Sequence, residues 1–200
     1  MNKQVIRGII ILAVIGLIAA YFMQAPESQL PITDNLPGIG EQAPEGSTYT
    51  SPTYGLTFTY PTGYYLKERE SSNDRPQLSL VLVEDTQENR DVIEGRSTEP
   101  REGPTAITVE VYPNTDRLPA EDWVRADTNW TVRTSDAAPI GRGSITGVTY
   151  SWSGLYEGKS VVVTKGMRAY VFSVTWMTPE DPIIATFDQL LNTVVLAEAQ

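Results

Sequence analysis

Residues 166–195 read GMRAYVFSVTWMTPEDPIIATFDQLLNTVV, and this stretch decides the fold. Between Arg168 and Met177, Tyr170, Phe172, Val174 and Trp176 alternate with Ala169, Ser173 and Thr175. A period of two places the large apolar side chains on one face of a strand. The period then changes. Ile183, Ile184, Phe187, Leu190, Leu191, Val194 and Val195 follow the 0, 1, 4, 7, 8, 11, 12 spacing of one wide helical stripe. Thr178-Pro179-Glu180-Asp181 resembles a capping box with Asp181 in the place of Glu or Gln and Pro179 at the first helical position. An apolar helix stripe needs an apolar surface to cover, and the sheet face beside it supplies one. The class expected is α+β, a central antiparallel sheet flanked by helices.

Upstream, the same periods recur. Ile145–Trp152 and Ser160–Thr164 read as two further strands of a meander, with Tyr156-Glu157-Gly158-Lys159 and Lys165-Gly166 as its turns. Leu56, Phe58 and Tyr60 alternate with Thr57 and Thr59 up to Pro61, and Tyr64–Glu68 follows as a short strand. Leu78–Val83 is almost continuously apolar, the mark of a strand covered on both faces. Ile107, Val109 and Val111 form another alternating strand. Leu118–Trp130 reads as a helix, with Pro119 in its first turn, Glu121 and Asp122 at the positive end of the dipole, and Trp123 and Trp130 seven apart. Gly141, Gly143 and Gly147 lack the Lys and Ser/Thr of a phosphate loop, and a turn and a strand bulge account for them.

The domain that these elements build opens with TYTSPTYGLTFTYPTGYY and continues through PAEDWV, GMRAYVFSVTW and FDQLLNTVV. Over about residues 48–198 this resembles the PsbP family, the extrinsic photosystem II subunits and their bacterial relatives. The resemblance implies an α/β sandwich, and a largely non-enzymatic family. The metal contacts proposed for PsbP itself involve His, and this chain has none. The chain looks more like the simpler PsbP-like domains of bacterial surface proteins.

Residues 1–23, MNKQVIRGIIILAVIGLIAAYFM, place that domain in the cell. Val5–Met23 would span roughly 28 Å as a helix, close to a hydrocarbon core of about 30 Å. Lys3 and Arg7 favour a cytoplasmic N-terminus, so the expected topology is a single-pass signal-anchor with the C-terminal domain extracytoplasmic. A cleaved signal peptide is the competing reading, but Tyr21, Phe22 and Met23 follow Ala19-Ala20 where a cleavage site would need small residues. Residues 24–47 carry Pro26, Pro31, Pro37 and Pro44 without apolar periodicity, and read as a tether. Residues 48–200 form the extracytoplasmic domain. The net charge of −10 argues against nucleic acid as a partner and against adhesion to anionic headgroups. With no Cys, a packed core and not disulfides must hold the domain. With no His, the commonest general base and the usual zinc site are gone.

What remains for function is a polar segment and some aromatic residues. Residues 84–103, EDTQENRDVIEGRSTEPREG, form a long solvated loop between two apolar strands. Asp85, Glu88, Asp91 and Glu94 are its candidate contacts to a protein partner outside the membrane. Their spacing matches no EF-hand, so no metal site is assigned. Tyr64, Tyr65 and Tyr156 lie near turns, are the aromatic residues expected to be exposed, and are the further candidate contacts to that partner. No catalytic or cofactor-binding residue is assigned, and no cofactor is expected. The expected function is a membrane-anchored, non-enzymatic binding or scaffolding module. The alternative is a carbohydrate- or envelope-processing enzyme working with carboxylates, for which Glu121 and Asp122 are candidates. Such an enzyme needs two facing carboxyl groups about 5–9 Å apart.

Overall fold

A computed structural model describes residues 46–69, 76–97, 102–126 and 133–197, all within one folded unit. The expected membrane anchor and all but the last two residues of the expected tether lie outside the described residues. Among the described residues, no helix is long and apolar enough to cross a membrane.

In chain order the elements are β1 (Gly46–Ser51), β2 (Leu56–Pro61), β3 (Tyr64–Arg69), β4 (Leu78–Glu84), α1 (Gln87–Ile93), β5 (Ile107–Pro113) and α2 (Ala120–Ala126). Then come β6 (Ala138–Arg142), β7 (Ile145–Ser153), β8 (Glu157–Lys165), β9 (Arg168–Trp176), α3 (Ile183–Thr193) and β10 (Val195–Leu196). Seven strands form one antiparallel sheet in the order β3-β4-β5-β9-β8-β7-β6, and β1-β2-β10 form a second, smaller one. The fold is α+β, mostly antiparallel sheet with a few helices.

The alternation in β9 puts Tyr170, Phe172 and Val174 on the same face as Leu80 and Leu82 of β4, Ile107 and Val109 of β5, and Val161 and Val163 of β8. Leu56 and Phe58 of the small sheet and Phe187, Leu190 and Leu191 of α3 close over that face, all fully buried. On the other face, Trp123 and Val124 of α2 cover Val148, Tyr150, Val162, Ala169 and Val171. The sheet is therefore packed on both faces, so β8 and β9 are buried along most of their length on both faces and not on one alone.

The boundaries differ from the sequence reading at instructive places. The closing helix starts at Ile183 and not at Pro179, with Pro182 as its N-cap residue. Pro182 disfavours helical dihedrals at Asp181, so Thr178–Asp181 closes a separate turn through Asp181 N–H to Thr178 O (3.1 Å). Asp181 still serves the helix, because its Oδ1 accepts from Ile183 N–H at 3.1 Å. At the other end, Val194 is extended and Val195–Leu196 pair with β2, so Val194 is buried while Val195 faces out. The last positions of the stripe belong to a strand. The first domain strand, β1, begins at Gly46, two residues inside the expected tether, and its polar GSTYTS gave no apolar period to find. The second helix covers Ala120–Ala126, and the expected partner Trp130 lies outside the described residues.

The glycines of the meander also have other reasons than those read from sequence. Gly158 lies within β8, directly opposite Trp152, and the turn before it is Gly154–Tyr156. A Cβ at Gly158 would sit 2.3 Å from the Trp152 ring, so the indole needs a glycine beneath it. Gly147 is no bulge. It pairs in register with Ile140, and a Cβ there would lie 2.0 Å from Val162 O.

Candidate functional site

The segment expected to be a loop is a capped helix with a fixed exit. Thr86 is extended and its Oγ1 accepts from Asn89 N–H at 3.1 Å, satisfying one orphan donor of α1. After Glu94 the chain passes through Gly95 at φ 72°, and Gly95 N–H to Val92 O (3.1 Å) and Arg96 N–H to Asp91 O (2.8 Å) close a Schellman motif. The signals were present as Thr86-x-x-Asn89 and Gly95, hidden because α1 has no apolar stripe and no buried residue.

Side chains then tie this helix to the edge strand β3. Glu94 accepts a hydrogen bond from the Tyr65 hydroxyl and pairs with Lys67 at 3.0 Å. The Tyr65 bond, then Lys67, hold the Glu94 carboxyl below its ordinary range, and the same bond raises Tyr65. Arg90 lies 4.9 Å over the Tyr65 ring and forks onto Asp85, lowering that carboxyl. Asp91 takes Gln87 at 3.0 Å and Arg96 at 2.9 Å, and both lower it. Asp85, Asp91, Glu94 and Tyr65 are thus brought together, but as partners of the chain's own cations. Glu88 is exposed in the first turn of α1, where a carboxylate complements the helix dipole.

The other two aromatic residues lie elsewhere, and none of the three is the fully exposed ring expected from its turn position. Tyr64 points to the opposite sheet face and bonds Thr186 Oγ1 of α3 at 3.2 Å. Tyr156 donates to Gly103 O at 2.5 Å. Tyr64, Tyr65 and Tyr156 are all half-buried, because each hydroxyl finds a partner across a chain crossing.

The candidate carboxylates of the enzymatic alternative, Glu121 and Asp122, both pair with Arg125, at 2.8 and 2.7 Å. The carboxyl that stands out is one the sequence reading passed over, Glu110 on β5. Burial raises it, and Tyr112 offsets this with a hydrogen bond of 2.9 Å. Beside it on the same face, Ser160 and Ser173 share a bond of 2.8 Å, and Trp152 Nε1 donates to Ser160 at 2.9 Å. This polar row is satisfied internally and knits β7, β8 and β9. Among the described residues, no three Asp or Glu side chains converge as a metal site.

A cleft of about 480 Å³ opens where β5, the β8–β9 turn and the end of β10 meet. Arg117, Lys165, Arg168, Met167, Tyr170 and Gln77 are among its walls. Among the described lining residues there is no carboxylate.

No protein-family model matches the chain, and no curated protein does. Solved structures do. One is a protein of Bacteroides thetaiotaomicron, at 11% identity and a TM-score of 0.47, over 76% of this chain and 49% of that one, so the chain spans about half of its length. Another is the cyanobacterial PsbP (CyanoP) of Synechocystis, at 13% identity and a TM-score of 0.49, over 82% of this chain and 99% of that one. A third is LpqN of Mycobacterium tuberculosis, described as involved in cell envelope biogenesis, at 15% identity and a TM-score of 0.37, over 76% and 86%. PsbP, the family the sequence resembles, is thus among the structures this chain is similar to.

Proposed function

We propose that the chain is a membrane-anchored, extracytoplasmic, non-enzymatic binding module whose partner is a protein outside the membrane. The observation that carries the reading is the α1 platform. A helix with no buried residue contributes nothing to the core, yet it is capped at both ends and pinned to β3 by Tyr65, Lys67 and Glu94. Ordering a segment costs roughly 1–2 kcal/mol per residue in backbone entropy. A short turn could join the adjacent strands β4 and β5 at far smaller cost. Such an investment in a surface feature suits presentation to a partner. Placement outside the membrane rests on the apolar 1–23 segment and its leading cations. The non-enzymatic part rests on how the carboxylates are used: those that the fold gathers are neutralised by Arg90, Arg96, Lys67 and Arg125.

The test compares the full chain with a variant in which residues 85–97 are replaced by a short Gly-Ser turn. Both are recovered from solubilised membranes with their bound proteins. The wild type should carry a protein in stoichiometric amount that the variant lacks. Identical co-purifying proteins, or none with either form, would remove the platform as the binding surface.

A further inference from the structure

The cleft at the end of the sheet gathers three cations in a chain of net charge −10. Five cations elsewhere in the described structure are paired with carboxylates: Lys67 with Glu94, Arg90 with Asp85, Arg96 with Asp91, Arg125 with Glu121 and Asp122, and Lys159 with Asp188. The cleft cations are placed differently. Lys165 and Arg168 are direct cross-strand partners in the β8–β9 hairpin, so two like charges stand opposite one another. Such a pair is destabilising on its own. Lys165 donates to Leu196 O, and Arg168 lies 5.3 Å from the centre of the Tyr54 ring. Neither contact neutralises the charge.

The third cation is held at a local cost as well. Arg117 has φ 53°, the one non-glycine residue at positive φ among those described. Left-handed dihedrals cost an ordinary side chain energy and persist only where neighbours impose them. Here the neighbour is the buried Asn114. Its side chain clamps Leu118, with Leu118 N–H to Oδ1 at 2.9 Å and Nδ2 to Leu118 O at 3.0 Å. Its N–H reaches Met167 O at 2.7 Å, tying the Arg117 turn to the β8–β9 turn. The floor is rigid, because the buried Tyr170 donates to Tyr54 O at 2.7 Å and Tyr54 donates to Gln77 O at 2.8 Å.

An opposed like-charge pair and a strained arginine are both costs to folding, and they converge on one cleft. We propose that this cleft binds a phosphate group, held by Arg117, Lys165 and Arg168. Three cations around a compact polyanion would exchange their mutual repulsion for charge-assisted hydrogen bonds. Free phosphate and a phospholipid headgroup share this chemistry. The site goes beyond the α1 platform, and its titration can fail while the capture experiment succeeds, or the reverse.

The experiment uses the full chain in a nonionic detergent. One calorimetric arm adds inorganic phosphate, and the other adds micelles doped with phosphatidylglycerol, with phosphatidylcholine-doped micelles as the comparison. Saturable binding is expected in the phosphate arm if the ligand is free, and in the phosphatidylglycerol arm alone if it is a headgroup. Arg117→Gln should weaken it about tenfold, the loss of one charge-assisted contact, and Arg125→Gln should leave it unchanged. Arg117→Gly separates binding from folding: it should raise the melting temperature by relieving the positive φ, yet weaken binding as the Gln variant does. Absence of binding in both arms, binding unaltered by Arg117→Gln, or an Arg117→Gly variant that melts below wild type would overturn the proposal.

Discussion

Phe187→Ala is the sharpest probe of how this fold is held. Phe187 is fully buried in the centre of α3, in the same core cluster as Phe58 of the small sheet and Phe172 of the large one. A buried aromatic side chain withdraws roughly 150–250 Å² from water, which at about 25 cal/mol per Å² is roughly 4–6 kcal/mol. Alanine keeps part of that area, while the cavity it leaves adds a penalty, so the expected loss is about 3–5 kcal/mol. The Lys159 ammonium, 6.0 Å from the ring centre, contributes on the order of 0.5–1 kcal/mol at such a half-exposed site. Burial therefore dominates. Against an ordinary domain stability of about 5–15 kcal/mol, the change should lower the urea midpoint sharply without altering the slope. Gln189 is exposed on the same helix, and Gln189→Ala should change stability by less than about 0.5 kcal/mol. Equilibrium urea melts of both variants, followed by tryptophan fluorescence, make the comparison. A Phe187→Ala protein that melts with wild type would mean that α3 does not seal the two sheets together.

Four further outcomes are expected. Burial raises Glu110, so the folded state holds its proton more tightly than the unfolded chain, and stability falls as pH rises through that range. Glu110→Gln should therefore be more stable than wild type at pH 7, with the advantage vanishing at acid pH below the ordinary carboxylate value. A less stable Gln variant at pH 7 would contradict this. Tyr49, raised from 10.0 to about 12 by burial and then by Glu68, contributes stability that is complete below 10 and lost as pH rises toward about 12; Tyr49→Phe should flatten that alkaline decline. Gly158→Ala must displace the Trp152 indole, at a cost of about 1–3 kcal/mol that a urea melt with indole fluorescence will read. The N-terminal segment should remain attached, so the intact mass of the protein from membranes should include residues 1–23; a mature form beginning near Ala25 would remove the anchor.

Much of the fold was legible because its signals are local. The alternation in Arg168–Trp176 and the stripe from Ile183 to Leu191 are visible in the chain, since a strand repeats every two residues and a helix every 3.6. They determined the class, the strong elements and which faces turn inward. The sequence was silent where an element answers to something distant. The polar β1 exists because β2 offers it an edge, and Val195 and Leu196 are strand residues because Thr57 and Leu56 pair with them. Platform α1 has caps but no apolar face, so periodicity passed over it. The pairing of Glu94 with Tyr65 and Lys67 depends on where α1 lies against β3, which no spacing encodes. The same holds for the phosphate cleft. Arg117, Lys165 and Arg168 lie up to fifty-one positions apart in the chain, and only the antiparallel return of β9 and the Asn114 clamp bring them to one place. Local physics wrote the elements, and long-range closure decided which charges meet.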